Sequence, residues 1–372
     1  MQNIRAEILL PAQDVREDIA FFTKTLGFRL DEIYPADDPR VIVLSGFGLR
    51  LRLDADLDAV PGTIRLLCDD PQLIAGGKTS LTAPSGNRIE IVPLAPPVEM
   101  PPTAHEFVVR RLADQAPWVI GRAGMHYRDL VPSRLGGAII ASHIRIPDGG
   151  PVPDMVHFHS VGFQLIFCIK GWVDLVYEDQ GPPFRLHAGN CVIQPPEIRH
   201  RVLYASDNIE VVEIGVPAEH VTTIDHAMEL PTEIVQPERE FSGQTFVHHR
   251  AEDAKWVPHR LGGYEARDTG VARHTKGVAH VAVLRPDGGQ HALSVHDADI
   301  YFGFVMAGEV TLEGDGKAQP LTAGDAFVIP PGLPMGLRAP SADFELLEVA
   351  LPGTFGIQDR SQTADPALAS GR

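Results

Sequence analysis

The feature that most constrains this chain is an internal repeat. From Trp118 onward the sequence returns on itself at a spacing of about 138 residues, a domain-sized duplication rather than the short period of a solenoid. Trp118-Val119 recurs as Trp256-Val257, Arg128-Asp129 as Arg267-Asp268, and Pro147-Asp148-Gly149-Gly150 as Pro286-Asp287-Gly288-Gly289. Both copies then stay in step. Each has a glycine that closes a hairpin (Gly171, Gly308), an Ala-Gly turn (Ala188-Gly189, Ala323-Gly324) and a double proline (Pro195-Pro196, Pro330-Pro331). Many short alternating strands punctuated by Gly and Pro, with almost no helical periodicity, read as a β-sandwich or β-barrel. A chain of 372 residues exceeds what one core needs, so two or three domains are expected.

Composition narrows the function classes. A formal charge of −17 argues against nucleic acid as a partner, because binding phosphates needs a surplus of Lys and Arg on one face. With 44% apolar and 22% charged residues the chain has ordinary globular composition, and no run of about 18 apolar residues suggests a membrane partner. Arg5 and Glu7 interrupt the start where a signal peptide would be apolar, and Cys68, Cys168 and Cys191 are too few and scattered for a disulfide framework. A cytoplasmic location is therefore expected.

Residues 1–95 precede the repeat and read differently. An apolar strand pattern at 5–10 leads into a helix with Val15, Ile19, Phe22 and Leu26 on one face, ended by Gly27. Strand signals follow at 28–34, 40–45, 48–53 and 62–68, and the turn Pro84-Ser85-Gly86-Asn87 precedes a last strand at 88–92. This order predicts a small α+β domain. The stretch AEILLPAQDVREDIAFFTKTLGF, with the later PSGNRIEIV, resembles the glyoxalase/bleomycin-resistance family, also called vicinal oxygen chelate proteins. In that family a His on the first strand and a Glu on the last are common metal ligands; Glu7 and Glu90 occupy those positions here. The segment DDPQLIAGG is too brief for a full second helix, so a structural or dimerising module is expected. The Pro-rich stretch 96–114 reads as a linker.

The chemistry concentrates in GGPVPDMVHFHSVGFQLIFCIKG and GNCVIQPPEIRH. His157 and His159 are two apart, so on a strand both point to one face and can meet one ion. Gln164 and His200 lie on neighbouring strand signals. These segments resemble the two motifs of the cupin superfamily: His-x-His, four residues, Glu, six residues, Gly; then Gly, five residues, Pro-x-Gly-x-x-His. His157, His159, Gln164, Gly171, Gly189, Pro195 and His200 keep every interval, while Gln164 replaces the usual Glu and Glu197 the usual Gly. The resemblance implies a mainly β fold of two tandem cupin (jelly-roll) β-barrels after the small α+β domain. The first, 115–235, would bind metal; the second, 236–356, would lack a ligand set; 357–372 would be a flexible tail.

His157, His159, Gln164 and His200 are the expected metal site, with Gln164 either a direct ligand or a hydrogen-bond partner of metal-bound water. Three imidazoles and an amide leave a divalent ion its full charge, which favours a small anionic, bidentate substrate. Such ligation suits Fe(II), Mn, Ni, Co, Cu or Zn, with Fe(II) preferred by resemblance to three-His cupin dioxygenases. By strand alternation Val202 and Tyr204 face inward with His200, and Ile166 and Cys168 with Gln164, making Tyr204 either the candidate acid/base or a tyrosine at the edge of the core. Cys168 reads as a small buried apolar residue. On the strand AIIASHIRI either His143 and Arg145 face the site and supply a cation, or Ile144 and Ile146 do and the polar pair looks away. The second copy aligns Ser294, His296, Tyr301 and Met335 with the four site positions, too few ligands for an exchangeable ion. It is expected to complete the two-barrel body or shield the first barrel's mouth. The resulting expectation is a metal-dependent dioxygenase, assembled as a homodimer by resemblance. A metal-assisted isomerase or lyase and a non-catalytic small-molecule binder stand beside it.

Overall fold

The computed structural model describes residues 4–114, 118–289 and 292–359, in two compact units divided between Pro97 and Val98. In the first unit Asp14 caps the helix Val15–Ala20, accepting from the backbone N–H of Arg16, and the helix runs into a π-type turn at Phe21–Thr25. The Thr23 hydroxyl donates to the Ile19 carbonyl (2.6 Å), which competes for an acceptor of the helix ladder just where it loosens. Val15, Phe22 and Leu26 are buried together against Leu44, Leu51, Leu53, Ile89 and Ile91 of two sheets. A four-stranded sheet runs Ile8–Pro11, Leu49–Asp54, Val41–Gly46, Arg29–Tyr34; a three-stranded one runs Thr63–Cys68, Arg88–Pro93, Ser80–Thr82. DDPQLIAGG forms only two short 3-10 turns, Pro71–Leu73 and Ala75–Gly77.

The second unit is mainly β. Its first half has a seven-stranded sheet in the order Val247–His249, Cys191–Ile193, Phe163–Lys170, Ile209–Val216, Ile140–Ile146, His126–Asp129, Val119–Ile120. It packs on a sheet ordered Phe184–His187, Trp172–Tyr177, His200–Ala205, His157–His159, Thr222–Ile224, around a core that includes Ile144, Cys168, Val192, Leu175 and Tyr177. The second half repeats the plan. Trp256–Pro258, Tyr264–Asp268, His280–Pro286, Glu345–Leu351, Ile300–Ala307, Ala326–Val328 and Val108–Arg110 form one sheet, and Lys317–Thr322, Glu309–Gly314, Met335–Arg338, Ser294–His296 and Ile357–Asp359 the other.

The backs of the two seven-stranded sheets share a third core. Phe163, Leu165, Phe167 and Ile214 from one meet Val283, Phe302, Phe304 and Val349 from the other, all at most 1% exposed. Burying each of these side chains contributes roughly 1.5–3 kcal/mol, so the halves form one continuous hydrophobic body. Each half also carries the other's edge strand. Val108–Arg110 precedes the first half in sequence but pairs with Ala326–Val328 of the second; Val247–His249 precedes the second half but pairs with Cys191–Ile193 of the first.

Three sequence boundaries are corrected by this arrangement. The stretch 96–114 is not simply a linker, since Val108–Arg110 is a sheet strand and Phe107 and Val109 pack on a second core, that of the second half, which includes Leu312, Phe327 and Leu337. Residues from 236 do not all belong to the second barrel: Phe241 and Phe246 pack into the first core, and Gln244 Nε2 donates to the Gly162 carbonyl (2.6 Å). In the expected tail 357–372, Ile357–Asp359 is a strand paired with Ser294–His296, and the rest lies outside the described residues. The hairpin glycines are required where the repeat places them. Gly171 (φ 75°) and Gly308 (φ 70°) both sit in the left-handed region, and a Cβ at either would collide with Ser206 Oγ or Ser341 Oγ.

Candidate metal centre

The strand His157–His159 pairs antiparallel with His200–Ala205 so that His157 lies directly opposite His200. Alternation keeps His159 on the same face as His157. A ring nitrogen from each of His157, His159 and His200 lies within 4.8 Å of the other two, and all three side chains are buried. Among the described residues no other group of three His, Cys, Asp or Glu side chains converges in this way.

The second ring nitrogen of each imidazole is already engaged. His157 Nδ1 donates to the Met155 carbonyl (2.8 Å) and His200 Nδ1 to the Ile198 carbonyl (2.9 Å); His159 Nδ1 is hydrogen-bonded to the Thr222 hydroxyl (2.9 Å). A neutral imidazole that donates from Nδ1 keeps its lone pair on Nε2, so backbone carbonyls select the metal-binding tautomer of His157 and His200. Burial depresses all three basicities: His159 is brought down to about 3 by burial and then by His157 and His220, while His157 and His200 are also lowered, burial again coming first. His157 Nε2 is buried without any partner. Three neutral, converging donors, one of them otherwise orphaned, fit a divalent transition metal.

A cavity of about 70 Å³ adjoins the cluster. Ile144, Ile166, Leu175, Val202 and Val211 supply its apolar wall; Arg122, Tyr127, Tyr177, Gln194 and Glu213 supply its polar groups. Arg122 is pinned by the buried Asp154, whose other oxygen accepts from the Val202 N–H (3.0 Å). Tyr177 stacks on His200 and accepts from Gln194 Nε2 (2.8 Å); burial pushes its phenol well up, and pushes that of Tyr127 to about 12.

The four expected positions therefore divide. His157, His159 and His200 come together. Gln164 is buried on the same side of its strand as Ile166, and its amide Nε2 donates to Glu213 Oε1 (2.6 Å). The expectation of an uncompensated double charge is corrected accordingly, since Glu213 puts a carboxylate in the cavity wall. Tyr204 is corrected outright. The strand slips by one residue between Val202 and Tyr204, where Leu203 bulges, so parity reverses and Tyr204 is 43% exposed, stacked on Trp172. Ile144 and Ile146 face the cavity, whereas His143 packs between Trp118 and Phe304 and pairs with Glu210 (3.0 Å), and Arg145 donates to Asn208. Cys168 is buried core, its thiol pushed up to about 12 by burial. Glu197 holds the motif's glycine position with φ 64°, and its N–H donates to the His159 carbonyl (3.0 Å).

The equivalent place in the second half is built otherwise. Ser294 pairs with Met335 as His157 pairs with His200. His296 stacks on Tyr301, whose hydroxyl donates to Glu348 (2.5 Å), and the His259 and His280 rings flank the same carboxylate at 3.2 and 3.4 Å. Burial raises Glu348, but the two imidazoles outweigh it and hold the carboxylate well below its ordinary range. In the first unit Glu7 and Glu90 are taken up by Arg50 (2.5 Å) and by Arg65 (2.8 Å).

Residues 280–350 match the family model of the cupin domain, which falls in the second half and not in the half that carries the three histidines. Solved structures cover both halves. Salicylate 1,2-dioxygenase from Pseudaminobacter salicylatoxidans superposes with a TM-score of 0.53 over 71% of this chain and 91% of its own, at 15% identity. The fold is the cupin fold. Oxalate decarboxylase from Lactobacillus farciminis, solved as a formate complex, gives the same TM-score at 14% identity over 72% and 92% of the two chains. A single-residue variant of oxalate decarboxylase from Bacillus subtilis gives 0.52 at 14% identity, over 70% and 82%. No curated protein matches the sequence. Both segments that resemble cupin motifs lie in the first half of the second unit, while the second half keeps the β framework around the Glu348 network. No helix among the described residues is long and apolar enough to cross a membrane.

Proposed function

We propose that the chain is a metal-dependent cupin enzyme, a dioxygenase acting in the first barrel on a small anionic substrate that offers two oxygens, such as an enolate, diketone or hydroxy acid. The observation that carries this reading is the set of three buried imidazoles, each with Nδ1 committed elsewhere, opening on a cavity that also contains a cation. His157, His159 and His200 would hold a divalent ion, with Fe(II) the first choice, which would supply Lewis acidity and redox capacity towards O₂. The remaining work belongs to the protein. Arg122, held in place by Asp154, gives the carboxylate of an acidic substrate a charged partner inside an otherwise acidic chain. The isoleucines, Leu175 and Val202 keep bulk water away from the reacting atoms, and Tyr127, with a phenol that stays protonated, offers a neutral hydrogen-bond donor.

A second reading, metal-assisted non-oxidative chemistry such as decarboxylation, isomerisation or lysis, is favoured by the equal likeness to oxalate decarboxylases. The first test is metal content by mass spectrometry on protein purified without a metal-affinity tag, comparing wild type with the double variant His157→Ala/His200→Ala. One equivalent lost in the variant supports the centre; no metal in either, even after anaerobic reconstitution, ends the enzyme reading. Oxygen uptake with Fe(II) and a panel of hydroxy acids then separates the two chemistries, since the second proceeds under argon.

A further inference from the structure

In the first cupin motif the usual carboxylate is an amide, Gln164, and this amide is not free to turn. Its Nε2 lies 2.6 Å from Glu213 Oε1. The opposite orientation would set two oxygens at that distance, so a carboxylate partner fixes which end of the amide faces it. Gln164 is 1% exposed, and its Oε1 is buried with no hydrogen-bond partner. A buried amide oxygen left unpaired is costly, which marks it as an acceptor held ready for something the protein chain does not supply.

The second repeat supplies an independent comparison. Tyr301 occupies the place of Gln164, Glu348 that of Glu213, and the hydroxyl of Tyr301 donates to Glu348 at 2.5 Å. Gln164 pairs with Gly215 and Tyr301 with Ala350, two residues beyond the glutamate in each copy. Both repeats thus set a hydrogen-bond donor at this position against a glutamate on the adjacent strand. Only the amide has a second polar atom left over. Glu213 does not itself join the three histidines, whose converging nitrogens form the group without it.

We infer that Glu213 is a positioning residue of the metal centre: it takes the amide N–H of Gln164 and leaves the amide oxygen as the fourth ligand. This rests on the metal reading above. A glutamate at position 164 would instead face Glu213 as a second carboxylate, and the two would repel unless one were protonated.

The test is titration of metal-free protein with Co(II), following affinity and the visible absorption of the bound ion. Wild type is expected to bind one equivalent and His157→Ala none. Glu213→Gln is expected to bind 10- to 100-fold more weakly, with an altered spectrum, because the amide of Gln164 is no longer fixed. The exchanged pair Gln164→Glu/Glu213→Gln restores a donor facing an acceptor and is expected to recover wild-type affinity or better. In a Gln164→Ala background, Glu213→Gln is expected to change affinity less than threefold. Glu213→Gln binding as wild type does, or an exchanged pair as weak as Glu213→Gln, overturns the inference and leaves the three-histidine centre standing. Absence of Co(II) binding by wild type overturns both.

Discussion

The imidazoles of His157, His159 and His200 are poised by burial, and that has a measurable sign. His159 has a folded pKa near 3 against an ordinary value of 6.5, so in acid the unfolded chain takes up the proton first. Stability is therefore complete above about pH 6.5 and declines as pH falls towards 3. At pH 5.5 His159 alone is expected to lower the stability of the metal-free protein by about 1.4 kcal/mol relative to neutral pH, with His157 and His200 adding in the same direction. Urea unfolding at pH 7.5 and 5.5 checks this; equal midpoints would mean that the rings are hydrated and not held neutral. Glu197 offers a second residue-scale prediction. Its φ of 64° is left-handed and its side chain is exposed, so Glu197→Gly should raise stability by about 1 kcal/mol without moving the His159 contact, which uses the backbone. Thermal or urea unfolding of the two proteins reads the difference directly, and a less stable variant would show that the glutamate side chain contributes more than the strain costs.

At the scale of single strands, alternation is a sound guide up to the first irregularity. It places His157 with His159, His200 with Val202, and Gln164 with Ile166, because each pair is separated by one residue of regular pleat. It misplaces Tyr204, because the bulge at Leu203 depends on pairing with Trp172–Tyr177, some thirty residues away. Tyr204→Phe is accordingly expected to leave metal content and turnover within about twofold of wild type. Metal analysis and initial rates decide it; a tenfold loss would return Tyr204 to the site. Glu213 and Arg122 were not legible for a related reason. Glu213 sits in the ordinary alternating strand Ile209–Val216, and only its register against Phe163–Lys170 brings it to Gln164. Arg122 lies in a short 3-10 turn with no periodicity to read, and its orientation comes from Asp154, distant in sequence. His157 and His159 were legible because their geometry is local, and His200, which reaches them only through strand pairing, because it keeps the interval of the second motif.

At the scale of the second unit, the duplication was plain in the sequence, but the exchange of edge strands was not, since sequence order gives each strand to the wrong half. A chain beginning at Leu112 is expected to lose more than the few residues removed. Phe107 and Val109 leave the second core and Ala326–Val328 loses its partner, together costing about 3 kcal/mol. Denaturant midpoints of this chain and of one beginning at Val98 make the comparison, and equal midpoints would show the strand to be dispensable. The same exchange bears on how the protein responds to cutting. The connection from His226 to Pro231 is largely exposed, and a protease that nicks it divides the sequence but not the sheets. One fragment still holds Val108–Arg110 inside its neighbour, and the other holds Val247–His249. The two pieces are hostages to each other: to part, each must expose a bare sheet edge, so a nicked molecule should migrate as one particle until it is denatured.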